Sequence, residues 1–138
     1  MTSPQALLRF ALAVFGTIFL LVYPLSIVWP SSWAWQAGAP YDSQYFMMIV
    51  GVYATLGVFL LMAARNPGLH RSLIWFAVWS SVVHGAIMAV QSMPAEHHWH
   101  LVGDVPALFL VAIVLGALLV WSDAGRGKAL SAAAQSPP

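Results

Sequence analysis

The sequence predicts an all-α integral membrane protein, a bundle of four transmembrane helices. Of its 138 residues, 61% are hydrophobic and only 7% are charged, whereas soluble globular domains carry about 25% charged residues. Four apolar runs each approach the roughly 20 residues that a helix needs to cross ~30 Å of hydrocarbon. They predict helices at about 7–28, 45–64, 69–93 and 105–121, which together form one domain, 1–121, followed by a disordered cytoplasmic tail, 122–138.

Composition also excludes several classes of function. A formal net charge of +1 argues against nucleic-acid binding, which requires a basic surface. The absence of cysteine excludes disulfides, thiolate metal sites and thiol redox chemistry. The sequence has neither a phosphate-binding glycine loop nor a serine-hydrolase motif, and we assign no catalytic residue.

The first helix begins near Arg9 and contains Pro24, which is expected to kink it near the outer surface. A cleaved signal peptide is the alternative, since residues 37–39 resemble a cleavage site. The apolar run is longer than the 7–15 residues typical of a signal peptide, so we interpret it as a retained helix. The aromatic residues of the following loop suit the headgroup layer of the membrane.

The second helix carries small residues on one face. Gly51, Ala54 and Thr55 recur at helical spacing, and small side chains allow membrane helices to approach closely. We therefore expect this face to contact another helix. Tyr53 is interpreted as a packed aromatic residue with its hydroxyl bonded, with a ligand contact as the alternative.

A short basic turn separates the second helix from the third. Asn66 is predicted to cap the third helix and Pro67 to occupy its first position, a common pairing at helix starts. Arg65 and Arg71 are explained as orientation signals, with binding of lipid phosphate as the alternative.

The third helix is the most polar of the four, and His84 lies near its middle. Ionisable residues inside a membrane are costly and usually face the bundle interior, where they often serve function. The competing explanation is a neutral histidine that locks helices together through a hydrogen bond. Haem ligation by two histidines would need a second deep histidine, which this chain does not contain; His100 or a second subunit would have to supply it. The candidate ligand-binding residues are His84, Ser80, Ser81, Gln91 and Tyr53.

The outer loop before the fourth helix is rich in histidine. Imidazole and carboxylate groups are suitable ligands for Zn²⁺ or Cu²⁺, but the spacing matches no specific motif, and a solvated loop is the favoured interpretation. Asp104 is also expected to act as the N-cap of a helix with Pro106 in its first turn. The candidate metal ligands are His97, His98, His100 and Asp104.

The distribution of charge predicts the orientation. With four spans, all five basic residues fall on the side of the termini, and three of the four acidic residues fall on the other side. Cytoplasmic loops are enriched in Lys and Arg. Both termini are therefore predicted to be cytoplasmic, in a multi-pass protein of a bacterial inner membrane.

Residues 51–91 carry a recognisable pattern: Tyr53, Gly57 and the run Ala-Ala-Arg-Asn-Pro at 63–67. This segment resembles the small four-helix bacterial membrane proteins grouped as DoxX-like, and most closely their domain-of-unknown-function relatives. The resemblance implies a four-helix bundle with one polar residue at mid-membrane in the third helix. Relatives often have arginine where this chain has His84. The namesake members of the group are linked to quinone-coupled sulfur oxidation.

Two functional hypotheses follow. The leading one is a non-catalytic membrane protein that binds a partner protein or a lipid-like ligand, alone, as a homo-oligomer or within a larger membrane complex. The alternative is a redox component that binds quinone, haem or metal near His84 and the outer histidines.

Overall fold

Four helices account for most of the chain in the computed structural model, which describes residues 3–30, 33, 38–93 and 100–135. They are α1 (Pro4–Val28), α2 (Gln44–Arg65), α3 (Arg71–Gln91) and α4 (Asp104–Ala134). No strand occurs among the described residues. All four helices are long and apolar enough to cross a membrane. The predicted four-helix, all-α membrane architecture is confirmed.

Serine residues cap the first two helices. The Ser3 hydroxyl oxygen accepts a hydrogen bond from the Ala6 amide at 3.2 Å, so α1 begins three residues earlier than predicted. The Ser43 hydroxyl oxygen accepts one from the Phe46 amide at 3.3 Å. Each bond satisfies an amide that would otherwise lack a partner in the first helical turn.

The turn between α2 and α3 differs from the prediction. Pro67–Leu69 forms a separate 3-10 turn, and α3 begins only at Arg71. The side chain of Asn66 makes no capping hydrogen bond, so its predicted role is wrong. The reason is local: the His70 amide donates to the Pro67 carbonyl at 3.2 Å, which closes the tighter turn before the longer helix starts.

The fourth helix is longer than predicted. It begins at Asp104, which is its first residue rather than a cap preceding it, and Pro106 lies in the first turn as expected. It ends at Ala134, so most of the tail that was predicted to be disordered is helical. Its residues 128–134 are mainly alanine, leucine and lysine, which have high helix propensity, and the next proline is Pro137.

The helices pack as two close pairs. α1 lies against α2, α3 lies against α4, and α1 also contacts α4, whereas α2 and α3 make few contacts although a short turn joins them. The apolar core runs between these elements; its fully buried large side chains include Leu8, Leu12, Leu60, Ile74 and Leu115.

Glycine allows α1 and α2 to approach at backbone distance. A Cβ atom at Gly57 would lie 2.7 Å from the carbonyl oxygen of Gly16, and one at Gly16 would lie 2.9 Å from the carbonyl oxygen of Gly57. Any side chain at either position would force the helices apart. This seam is therefore the small-residue helix contact of the bundle.

The face formed by Gly51, Ala54 and Thr55 was predicted to contact another helix, and this prediction is wrong for Gly51 and Thr55. A Cβ atom at Gly51 would meet nothing within 4 Å, and Thr55 is exposed with its hydroxyl donating to the Gly51 carbonyl of the same helix. The inward face of α2 instead carries Val50, Gly57, Leu60 and Ala63. Spacing along a helix shows which residues share a face, but not which face meets a neighbour.

The described arginines gather at one end of the bundle, which we call the basic end; it comprises Arg9, Arg65, Arg71 and Arg126. Arg9 of α1 donates to the carbonyl oxygens of Ala64 and Arg65 at 2.9 and 2.8 Å. Arg71 of α3 forms an ion pair with Asp123 of α4. These contacts tie the start of α1, the α2–α3 turn and the later part of α4 together.

Candidate functional site

A cleft of about 210 Å³ lies where α2 and α3 diverge. Several of its lining side chains are largely exposed, among them Met48 at 63%, Val52 at 67% and Phe76 at 61%. The cleft therefore opens on the outside of the bundle, on a surface that faces hydrocarbon when the helices span a membrane. Its lining residues are Met48, Ile49, Val52, Tyr53 and Leu56 of α2, with Phe76, Ser80, Ser81 and His84 of α3.

His84 and Tyr53 form a hydrogen-bonded pair across this cleft. The tyrosine hydroxyl lies 3.2 Å from Nδ1 of the imidazole, and the two ring centroids are 5.7 Å apart. In the neutral tautomer that carries its proton on Nε2, the hydroxyl donates to Nδ1. In the other neutral tautomer, Nδ1–H donates to the hydroxyl and Nε2 is an acceptor.

Tyr53 is held in place from the opposite side by α1. The ring of Phe19 packs edge-on against the Tyr53 ring, with centroids 4.9 Å apart. Edge-to-face packing of this kind is favourable for aromatic pairs. The close α1–α2 pair thus fixes the tyrosine, and the tyrosine in turn orients the histidine on α3.

The structure brings only some of the candidate ligand-binding residues of α3 together. Ser80 and Ser81 both line the cleft beside His84; Ser80 donates to the Ala77 carbonyl of its own helix at 3.2 Å, and Ser81 is buried. Gln91 is exposed at the end of α3 and does not line the cleft. Seven residues place it about 10 Å along the helix from His84.

The apolar walls of the cleft were not identified from the sequence. Met48, Val52 and Leu56 follow one another at intervals of four residues, as do Phe76, Ser80 and His84, so each set shares a helix face. The same spacing is expected of any lipid-facing stripe. Only the divergence of α2 from α3 makes these residues the walls of a cleft.

The outer histidines are described only in part. His100 is buried, and its Nδ1 atom lies 2.6 Å from an Asp104 carboxylate oxygen, so this nitrogen is already engaged. The described residues contain no cluster of three or more metal-ligating side chains. His97 and His98 lie outside the described residues, and the predicted metal site remains a prediction.

A protein-family model matches nearly the whole chain. The model of a family of unknown function, DUF6632, covers residues 2–134. The chain belongs to this family. No curated protein and no solved structure matches the chain. The match includes all four helices and the cleft; of the DoxX-like resemblance, it supports only the relationship to a domain of unknown function.

Proposed function

We propose that this protein is a non-catalytic membrane protein that binds a lipid-like ligand in the cleft between α2 and α3. The observation that carries the proposal is the combination of an opening toward the bilayer, largely apolar walls and a polar pair, His84 and Tyr53. A ligand dissolved in the bilayer reaches such a site sideways, without passing through water.

Specificity in this cleft depends on its polar groups. Acyl chains are as apolar as leucine side chains, so the apolar walls gain little by exchanging one hydrocarbon for another. A ligand that offers an oxygen acceptor to Nε2–H of His84 gains a hydrogen bond that an ordinary acyl chain cannot make. The expected ligand is therefore mainly hydrocarbon, with a carbonyl or hydroxyl oxygen near mid-membrane.

The rival redox hypothesis shares this site. A quinone carbonyl oxygen would accept the same hydrogen bond, so a quinone is one molecule that meets the chemical requirement. Haem held by two axial histidines fits less well, because His84 is the only histidine among the residues that line the cleft.

The proposal is tested by identifying what copurifies with the protein. Extracts of protein purified in mild detergent are analysed by mass spectrometry, and their absorbance shows whether a quinone or haem is present. We expect one amphiphile in near-stoichiometric amount, lost from His84→Leu and reduced in Tyr53→Phe. The matched control is Ile87→Ala, since Ile87 is an exposed residue of the same helix outside the cleft.

Equal amounts of the same lipids in wild type, His84→Leu and Ile87→Ala would contradict the proposal. A redox-active quinone lost from His84→Leu would instead support the rival hypothesis. A protein that copurifies stoichiometrically, in place of a lipid, would favour the partner-binding form of the leading hypothesis.

The proposed location is a bacterial inner membrane with both termini in the cytoplasm. The support is the gathering of Arg9, Arg65, Arg71 and Arg126 at one end of the bundle, since basic residues are enriched on the cytoplasmic side. Reporter fusions at Gln36 and Glu96 test it. Both should be active only outside the cytoplasm, and cytoplasmic activity at either site would reverse the orientation.

A further inference from the structure

The basic end contains four arginines, and two of them are already occupied by the fold. Arg9 uses its Nε and one Nη atom to bind the carbonyl oxygens of Ala64 and Arg65, which are among the carbonyls left without helical partners at the end of α2. Arg71 is neutralised by Asp123. These two side chains serve the packing of the helices.

The side chains of Arg65 and Arg126 are not used in this way. Neither has a hydrogen bond or ion pair with another residue in the described part of the chain. Among the described acidic side chains, Asp123 is the one at this end, and Arg71 already engages it. The guanidinium groups of Arg65 and Arg126 are thus left without a hydrogen-bonded partner among the described residues.

A glycine brings one of these guanidinium groups onto the α2–α3 turn. A Cβ atom at Gly68 would lie 2.9 and 3.0 Å from the two Nη atoms of Arg126, so the missing side chain lets the guanidinium rest against the backbone. Arg65 is the last residue of α2, directly before this turn. The tertiary fold therefore brings an arginine of α4 to the turn that Arg65 begins.

The surroundings of the turn are apolar and exposed. Leu69, in the turn itself, is 78% exposed, and Met62, one turn before the end of α2, is 45% exposed. At a membrane surface, apolar side chains in this position lie beside the acyl chains just below the headgroups. The turn thus presents positive charge and apolar surface side by side.

We propose that Arg65 and Arg126 bind the phosphate of an anionic phospholipid headgroup at the α2–α3 turn. Guanidinium groups bind phosphate oxygens through paired hydrogen bonds, and basic surfaces between membrane helices suit anionic headgroups. Leu69 and Met62 contact the first part of the acyl chains. The site is separate from the α2–α3 cleft and stands whether or not the cleft binds a ligand.

The test measures lipid binding by native mass spectrometry of the full-length protein in detergent. The probes are a phosphatidylglycerol, a phosphatidylcholine with the same acyl chains, and inorganic phosphate. We expect tighter binding of phosphatidylglycerol, and a loss of about five-fold for Arg65→Gln or Arg126→Gln and about 25-fold for the double variant, from the usual surface contribution of one basic residue.

A charge-restored variant separates a defined site from general attraction. In Arg65→Gln/Arg126→Gln/Gln135→Lys, one positive charge returns at Gln135, an exposed residue after the end of α4. We expect its affinity to stay close to that of the double variant. Recovery toward wild type would overturn the site, because net charge alone would then explain the binding.

Three other outcomes would also overturn the proposal. In the first, the protein binds phosphatidylglycerol and phosphatidylcholine with equal affinity. In the second, inorganic phosphate displaces phosphatidylglycerol at the same concentration as the lipid. In the third, the double variant binds phosphatidylglycerol as tightly as wild type. Arg126→Lys guards against a folding artefact because it keeps the charge. It should fold as wild type and bind more weakly, since lysine lacks the paired donors of arginine.

Discussion

The two sides of helix α2 differ in how they meet their neighbours. Toward α1, the backbones approach until a single added carbon atom at Gly57 would lie 2.7 Å from the Gly16 carbonyl oxygen. Toward α3, the helices diverge and leave a cleft of about 210 Å³, although the α2–α3 connection is the short one. A short connection makes two helices adjacent, but side-chain size decides how closely they pack.

The side chains explain this difference. Glycine at positions 16 and 57 removes all bulk from the α1–α2 seam, whereas the α2–α3 seam carries the rings of Tyr53, Phe76 and His84. Burial from water does not drive the association of helices within a membrane. Close packing is therefore a main source of their stability. We infer that the close α1–α2 contact supplies stability and that the α2–α3 cleft leaves the His84–Tyr53 pair accessible to a ligand.

The largest expected effect on stability comes from a substitution that forces α1 and α2 apart at Gly57. Gly57→Ala should destabilise the protein by about 3 kcal/mol, the upper part of the range for overpacking, since the added carbon meets backbone rather than a movable side chain. Unfolding in mixed detergent micelles, followed by circular dichroism, measures the change.

Gly51→Ala is the matched control for that substitution. The same atom is added to the same helix, where nothing lies within 4 Å. We expect a change of less than about 1 kcal/mol, in the stabilising direction, because alanine favours the helix. If both variants lost the same stability, the difference between the two sides of α2 would be refuted.

An intermediate effect is expected from the hydrogen bond that crosses the α2–α3 seam. His84→Leu removes the partner of the Tyr53 hydroxyl and should cost about 1 kcal/mol, the scale of a hydrogen bond between membrane helices. A double-mutant cycle with Tyr53→Phe isolates the coupling between the two residues. A loss as large as that of Gly57→Ala would show that the α2–α3 seam also carries the fold.

The smallest effect is expected at Ser80. Its hydroxyl donates to the Ala77 carbonyl within the same helix, so it does not connect α3 to another element. Ser80→Ala should change the free energy of unfolding by less than about 0.5 kcal/mol. The amount of copurified ligand, measured in the same sample, then reports whether this hydroxyl contributes to binding.

The sequence by itself determined the helix count, the membrane class and the gathering of basic residues at one end. Each depends on local properties: the length of an apolar run, the scarcity of charge, and the parity of four spans. It also singled out His84, Tyr53, Ser80 and Ser81, since polar groups stand out in apolar helices. The helical tail after Trp121 was missed because small, polar residues are typical both of disorder and of a continuing helix.

Only the tertiary structure decided which helix faces meet. Gly51 and Gly57 both lie among small or apolar neighbours in the sequence, yet one is exposed and the other touches the α1 backbone. The cleft walls, the Tyr53–His84 pairing and the placement of Arg126 on Gly68 likewise join residues that are distant in the chain. The physical reason is that, in a membrane, both the lipid and the neighbouring helices are apolar, so periodicity in the sequence cannot distinguish a packed face from a lipid-facing one.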